Sequence, residues 1–265
     1  MKKAGLVLFL FMIVYTLFVP AAAASAEETT PTTPSNIPIA ELDDFITSYM
    51  NEYIGKTTPG ASIAIVSGNE IAYAKGFGYT STARDIPVDA SATVFEWGSI
   101  SKLFVWVSAL QLVEQGRLDL NAPISYYLSE SEMPKLRYEE PITMLHLMNH
   151  NAGFEEYVLN LLSDSREDVL PLSEFLKRYQ PYQAYPPGEM VAYSNYGTSL
   201  AAYIIEKITN QSYEDYVKEH ILIPLGMNDT IVTIANEADL AKIADRRATG
   251  YVSPQDGEFV EASYS

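Results

Sequence analysis

The 265-residue chain contains no cysteine, so disulfides, thiolate metal sites and cysteine nucleophiles are excluded and stability is left to packing. It is also poor in positive charge. Its 17 Lys and Arg stand against 34 Asp and Glu, and the net charge of −17 argues against a nucleic-acid phosphate backbone as partner. The negative charge reads as solubility. Histidine is limited to three positions, and no internal repeat of fixed period occurs. What is abundant is apolar surface: 48% of residues are hydrophobic and only 19% charged, enough for a sizeable core and unlike a disordered chain.

Residues 1–26 have the parts of an export signal. Lys2 and Lys3 precede an apolar run of 15 residues from Gly5 to Val19, followed by Pro20 and a small-residue stretch ending Ala24-Ser25-Ala26. Cleavage after Ala26 is expected, since the run falls short of the ~20 residues that span a bilayer. Left uncleaved, the segment would hold the chain at a membrane. Either outcome puts the domain outside the cytoplasm, secreted or on the outer face of the cell envelope. Removing Lys2 and Lys3 takes the net charge from −17 to −19. Residues 27–38 (EETTPTTPSNIP) offer almost nothing apolar to bury and read as a flexible tether. The folded domain is expected over 39–265.

From Ile39 to Ile54, apolar residues recur at three-and-four spacing, which predicts a helix closed by Gly55. Two short β-prone runs follow, Ala61 to Val66 and Ile71 to Gly76, separated by the turn composition Ser67-Gly68-Asn69-Glu70. Beyond Asp85 the pattern is helical at about Ile100 to Gln115, Met144 to Asn149 and Gly197 to Thr209, with long loops between. This order predicts an α+β fold: an antiparallel sheet, of which only the first strands occur here, flanked by helices and carrying a mainly helical insertion.

Chemistry concentrates at Ser99-Ile100-Ser101-Lys102, where a loop gives way to an apolar helix. Lys102 falls on the helical face of Ser99, so its amine can reach the serine oxygen. A serine hydroxyl is a weak nucleophile until a base takes its proton, and a lysine serves as that base only when burial among apolar groups lowers its pKa. Ser-x-x-Lys alone is common by chance, with the serine as a cap and the lysine extended to water. A second element adds weight: Tyr193-Ser194-Asn195, whose two-residue spacing in an extended loop would point a phenol and an amide the same way. The phenol would relay a proton. The amide would orient lysine or substrate.

FEWGSISK (95–102), ITMLHLMNHNAGF (142–154), Pro187-Gly188-Glu189 with Tyr193-Ser194-Asn195, and IPLGM (223–227) together resemble the class C β-lactamase and penicillin-binding protein family. The resemblance covers about residues 40 to 250. It implies a serine acyl-enzyme mechanism without metal or cofactor, with Ser99 as nucleophile, Lys102 and Tyr193 as proton-transfer groups and Asn195 as substrate-binding residue. It further implies a small-molecule or peptide substrate: a D-alanyl peptide, a β-lactam or an ester, peptidoglycan among them. The family's third motif, Lys-Thr-Gly or His-x-Gly, does not occur after Asn195, and the expectation is a chain truncated before its remaining strands. A penicillin-binding-like protein that binds wall peptide without turnover is the alternative.

Other candidates are weaker. His146 and His150 stand four apart on a predicted helix, a spacing that can chelate a metal, but no Glu follows His146 and no third ligand is evident. No Gly-x-Ser-x-Gly occurs, which excludes a nucleophile elbow of the α/β-hydrolase kind. Trp97, Tyr157, Tyr182 and Tyr185 are candidates for lining a cleft.

Overall fold

A computed structural model of the chain describes residues 32, 33, 35–156, 168–233, 235–255 and 258–262. The export signal, most of the tether and Tyr157 lie outside the described residues. The chain divides into two compact units, 1–46 and 47–265. The described part of the first ends in helix α1 (Ile39–Met50), which crosses the boundary. Among the described residues no helix is long and apolar enough to cross a membrane.

The second unit opens with a hairpin, β1 (Gly60–Ser67) and β2 (Glu70–Ser81), extended on its far side by the two-residue strand β3 (Ile86–Pro87) in the order β1-β2-β3. Gly68 and Asn69 form the hairpin loop with φ of 58° and 69°. Two successive positive φ values match the right-handed twist of the flanking strands, which is why Asn and Gly are the residues found there. The register pairs Ser67 with Glu70 and Gly60 with Gly78.

A helical layer follows: α2 (Lys102–Glu114), α3 (Met144–Met148), α4 (Leu172–Arg178), α5 (Asn195–Thr209), α6 (Tyr213–Val217) and α7 (Glu237–Ile243). Helix α5 is its centre, in contact with α2, α3, α4 and α6. Ser194 starts it, its Oγ accepting the Gly197 N–H at 3.0 Å, and Asn210 ends it in the left-handed region at φ 57°. Leu200, Ala201, Ile204 and Ile205 are fully buried along it, against Ala109 and Leu112 of α2 and Met144 and Leu147 of α3 in one apolar cluster.

The opposite side of α2 is apolar too. Leu103, Val107 and Leu110 follow one another at helical spacing and are 42–58% exposed.

Two further strands, β4 (Tyr251–Gln255) and β5 (Glu258–Glu261), pair antiparallel as a separate hairpin. The expectation of two strands therefore fell short by three. The α+β class holds, with a small antiparallel sheet and a helical layer. The sequence expectation that ran the first helix to Ile54 is also corrected: α1 stops at Met50, and a turn, with Gly55 at φ 78°, carries the chain to β1.

Candidate active site

Ser99 stands in a 3₁₀ turn, Gly98–Ser101, that feeds directly into α2, and Lys102 is the first residue of that α-helix. The approach to the turn is pinned from the C-terminal side. Val94 N–H donates to Arg246 O at 3.0 Å, Ala248 N–H donates to Val94 O at 2.9 Å, and Arg247 forms an ion pair with Glu96. Arg246 in turn holds Asp229 with both guanidinium nitrogens, at 3.1 and 2.8 Å. Residues 93–98 are thereby fixed before the nucleophile candidate is reached.

Two hydrogen bonds converge on Ser99 Oγ. Lys102 Nζ lies 3.2 Å away and the Tyr193 hydroxyl 2.8 Å away, although Tyr193 is 94 positions further along the chain. Lys102 Nζ also sits 4.8 Å from the centre of the Tyr193 ring, a cation over a π face. Burial pushes the Tyr193 phenol up, but its hydrogen bonds with Lys102 and Ser99 outweigh burial and hold it below the usual phenol range. Lys102 is half-buried. Its sequence neighbours Ile100 and Leu103 are themselves 56% and 58% exposed.

Tyr193 is held by residues that sequence reasoning did not select. His150 lies against its ring, centroids 4.6 Å apart, and Trp106 meets the imidazole in a T-shaped contact at 6.2 Å. His150 Nδ1 accepts the Ser194 N–H at 3.2 Å, and its backbone oxygen accepts the Ala192 N–H at 2.7 Å. Desolvation, helped by the Lys102 charge, lowers the His150 pKa, so the ring is neutral at pH 7. A neutral imidazole is what an acceptor at Nδ1 requires.

Asn195 does not sit in an extended loop beside Tyr193; it is the first residue of α5. Its side-chain Nδ2 donates to Glu156 Oε1 at 2.9 Å and its backbone N–H to Glu156 Oε2 at 2.7 Å. Its side-chain nitrogen is thereby committed to a carboxylate.

The paired histidines are also separated by function in the fold. His146 caps the start of α3, its Nδ1 accepting the Thr143 N–H at 3.3 Å while its own N–H donates to Thr143 Oγ1 at 3.2 Å. His150 falls beyond the end of that helix at φ 53°. Among the described residues no group of three His, Asp or Glu side chains could hold a metal ion.

A cavity of about 980 Å³ opens beside Ser99 and Lys102 and is lined by these two, Asn195, Trp97, Phe104 and Arg247 among others. Of the aromatic candidates, Trp97 lines it, while Tyr182 and Tyr185 are exposed elsewhere on the surface.

Residues 42–260 match the β-lactamase family along their whole extent. The chain belongs to the β-lactamase family. Among curated relatives, this family member is 30% identical over 200 residues to penicillin-binding protein 4* of Bacillus subtilis (72% of the chain, 41% of the relative). It is 31% identical over 174 residues to protein flp of Staphylococcus aureus strain MW2 (65% and 34%). Among solved structures, the octameric penicillin-binding protein homologue from Pyrococcus abyssi superposes with a TM-score of 0.68 at 31% identity, covering 86% of this chain and 51% of that one. The chain thus spans between a third and about two-fifths of the length of these curated relatives.

Proposed function

We propose that the protein is a serine acyl-enzyme hydrolase acting on a D-alanyl peptide, a β-lactam or an ester. The reading rests on the two hydrogen bonds that converge on Ser99 Oγ, from Lys102 and Tyr193. In it, Ser99 Oγ attacks the substrate carbonyl as its proton passes to Lys102, and the backbone N–H of Ser99, at the head of the helical turn, faces the developing oxyanion. Tyr193, a phenol held below its usual pKa, returns a proton to the departing group as the carbonyl–leaving-group bond breaks. The ester left on Ser99 is then hydrolysed by water, with the same two groups taking and returning one proton. Asn195 binds substrate at the cavity wall.

The N-terminal segment supports an extracytoplasmic location, with peptidoglycan within reach. Fractionation of cells expressing the chain with and without residues 1–26 tests this, and retention of both forms in the cytoplasm would refute it.

Mass spectrometry of the chain after incubation with a fluorescent penicillin and with a fluorophosphonate tests the mechanism. An adduct on Ser99 that disappears in Ser99→Ala is expected. No adduct from folded protein would favour the second reading, a wall-peptide-binding protein without turnover.

A further inference from the structure

We propose that Arg137 and Tyr182 form a binding site for a sugar acid, a saccharide carrying one carboxylate, apart from Ser99 and independent of the acyl-enzyme reading. Arg137 is exposed, and its guanidinium lies 5.1 Å from the centre of the Tyr182 ring and 5.3 Å from that of Tyr138. At these distances two aromatic rings hold the cation without taking its N–H groups. Arg117, Arg246 and Arg247, by contrast, donate to Ile208 O, Asp229 and Glu96. Among the described residues the guanidinium of Arg137 meets no acceptor, in a chain with 34 Asp and Glu against 17 Lys and Arg.

The backbone beneath this cation is fixed from within. Arg137 N–H donates to Gln183 Oε1 at 2.9 Å, Gln183 is only 2% exposed, and its Nε2 donates to Ala152 O at 3.1 Å. The Tyr138 hydroxyl donates to Ala184 O at 2.9 Å. Lys135 N–H donates to Gln180 Oε1 at 2.9 Å, and Gln180 Nε2 returns a bond to Lys135 O at 2.7 Å. Residues 135–138 are thereby laced to 180–184 on either side of Arg137. A site ordered in advance loses little freedom when a ligand arrives.

The surroundings select the ligand. Glu139 and Glu140 follow closely along the chain, and Glu155 gives its N–H to Tyr182 O at 2.9 Å. These carboxylates repel a doubly charged phosphate more strongly than a singly charged group. A planar carboxylate also matches the fork of guanidinium donors. Tyr182 is 55% exposed even with the guanidinium against it, and the electron-rich face of a phenol accepts the polarised C–H groups of a sugar ring. Cation and ring together fit a uronic acid better than either a neutral sugar or a free carboxylate.

Four small probes separate these contributions: methyl glucuronide, the matching methyl glucoside, glucose 6-phosphate and acetate. Titration of the ¹⁵N-labelled full chain, read at the amides of 135–138 and 182–184, gives a dissociation constant for each. Methyl glucuronide is expected to bind at least about tenfold tighter than any of the other three. Arg137→Gln should weaken it about tenfold, the value of a charge-assisted hydrogen bond, and Arg137→Lys, which keeps the charge without the planar fork, should fall between. Tyr182→Ala should weaken methyl glucuronide and leave acetate unchanged.

A further reading needs no variant and so does not depend on how the variants fold. Raising NaCl from about 0.05 to about 0.5 M should weaken methyl glucuronide and leave methyl glucoside as it was. No binding of methyl glucuronide, affinity insensitive to salt or to Arg137→Gln, equal binding of the glucoside or acetate, or tighter binding of the phosphate would each overturn the proposal.

Discussion

The imidazole of His150 packs against the phenol ring of Tyr193, inclined by 36° with centroids 4.6 Å apart, and its Nδ1 accepts the N–H of the next residue, Ser194. One side chain thus sets both the ring and the backbone of the segment that reaches Ser99. His150→Phe keeps the packing and deletes the acceptor. At pH 7.5 it should lower unfolding free energy by about 1–3 kcal/mol through the unsatisfied N–H. A histidine whose folded pKa is depressed contributes stability that is full above the ordinary pKa of 6.5 and lost as pH falls through the folded value. The difference between parent and His150→Phe in urea unfolding should therefore shrink at pH 5; a difference that grows instead would assign the ring another role.

Lys102→Ala and Tyr193→Phe each remove one of the two hydrogen bonds on Ser99 Oγ. Each should slow covalent labelling of Ser99 by about 10²- to 10⁴-fold, the usual contribution of a positioned proton-transfer group. Circular dichroism should be unchanged, since neither side chain belongs to the apolar cluster around α5. Labelling at the parent rate in both variants would remove them from the reaction.

Glu132 ties the loop after residue 128 to α5 through Lys207 at 2.7 Å and Tyr203 at 2.9 Å, and within the loop accepts the Ser129 hydroxyl at 2.6 Å. Its hydrogen bonds, that with Lys207 foremost, hold the carboxyl down to about 2 against an ordinary 4.5. The stability it contributes is present above pH 4.5 and lost as pH falls toward 2. Because Lys207 is well exposed, water screens the pair and Glu132→Gln should cost only about 1 kcal/mol at pH 7. Urea midpoints of parent and variant should converge on acidification.

Gly153 adopts φ 85°, and a Cβ there would run into the backbone oxygen of Tyr185. Its own carbonyl accepts the Ala184 N–H at 2.7 Å, so the loops that carry His150 and Tyr193 meet at this point. Gly153→Ala combines backbone strain with overpacking and should destabilise by about 2 kcal/mol or more. It should also lower the rate of Ser99 labelling. Wild-type melting and labelling together would show that the loops can part without consequence.

The elements legible in the sequence are those whose local chemistry and packing agree. The β1–β2 hairpin was signalled by Gly68-Asn69, and α5 and α2 by long apolar periodicity. Ser99, Lys102 and Tyr193 were named together and lie within hydrogen-bond reach of one another. Of the short helices α3 was expected, whereas α4, α6 and α7 were missed because five to seven residues carry little periodicity, yet cap signals were present: Ser212 receives the Asp215 N–H before α6, and Asn236 that of Asp239 before α7. Strands β3 and β4 contain proline and escaped a search for uninterrupted β-branched runs. Glu156 and His150 were invisible as partners, since nothing in a linear pattern says that a loop at 150–156 will meet the start of a helix at 195.

The 3₁₀ turn at Gly98–Ser101 has a consequence for the spacing of the two groups that meet there. In a regular α-helix, residues three apart are rotated by about 60° from alignment, whereas in a 3₁₀ turn of three residues per revolution they stand directly in line along the axis. Tightening the chain just ahead of Lys102 therefore brings the roots of the two side chains toward one line, and the amine reaches the hydroxyl at 3.2 Å. The same four residues moved one turn deeper into α2 would keep their order and lose that alignment, so the pair is a property of where the helix begins as much as of which residues it contains.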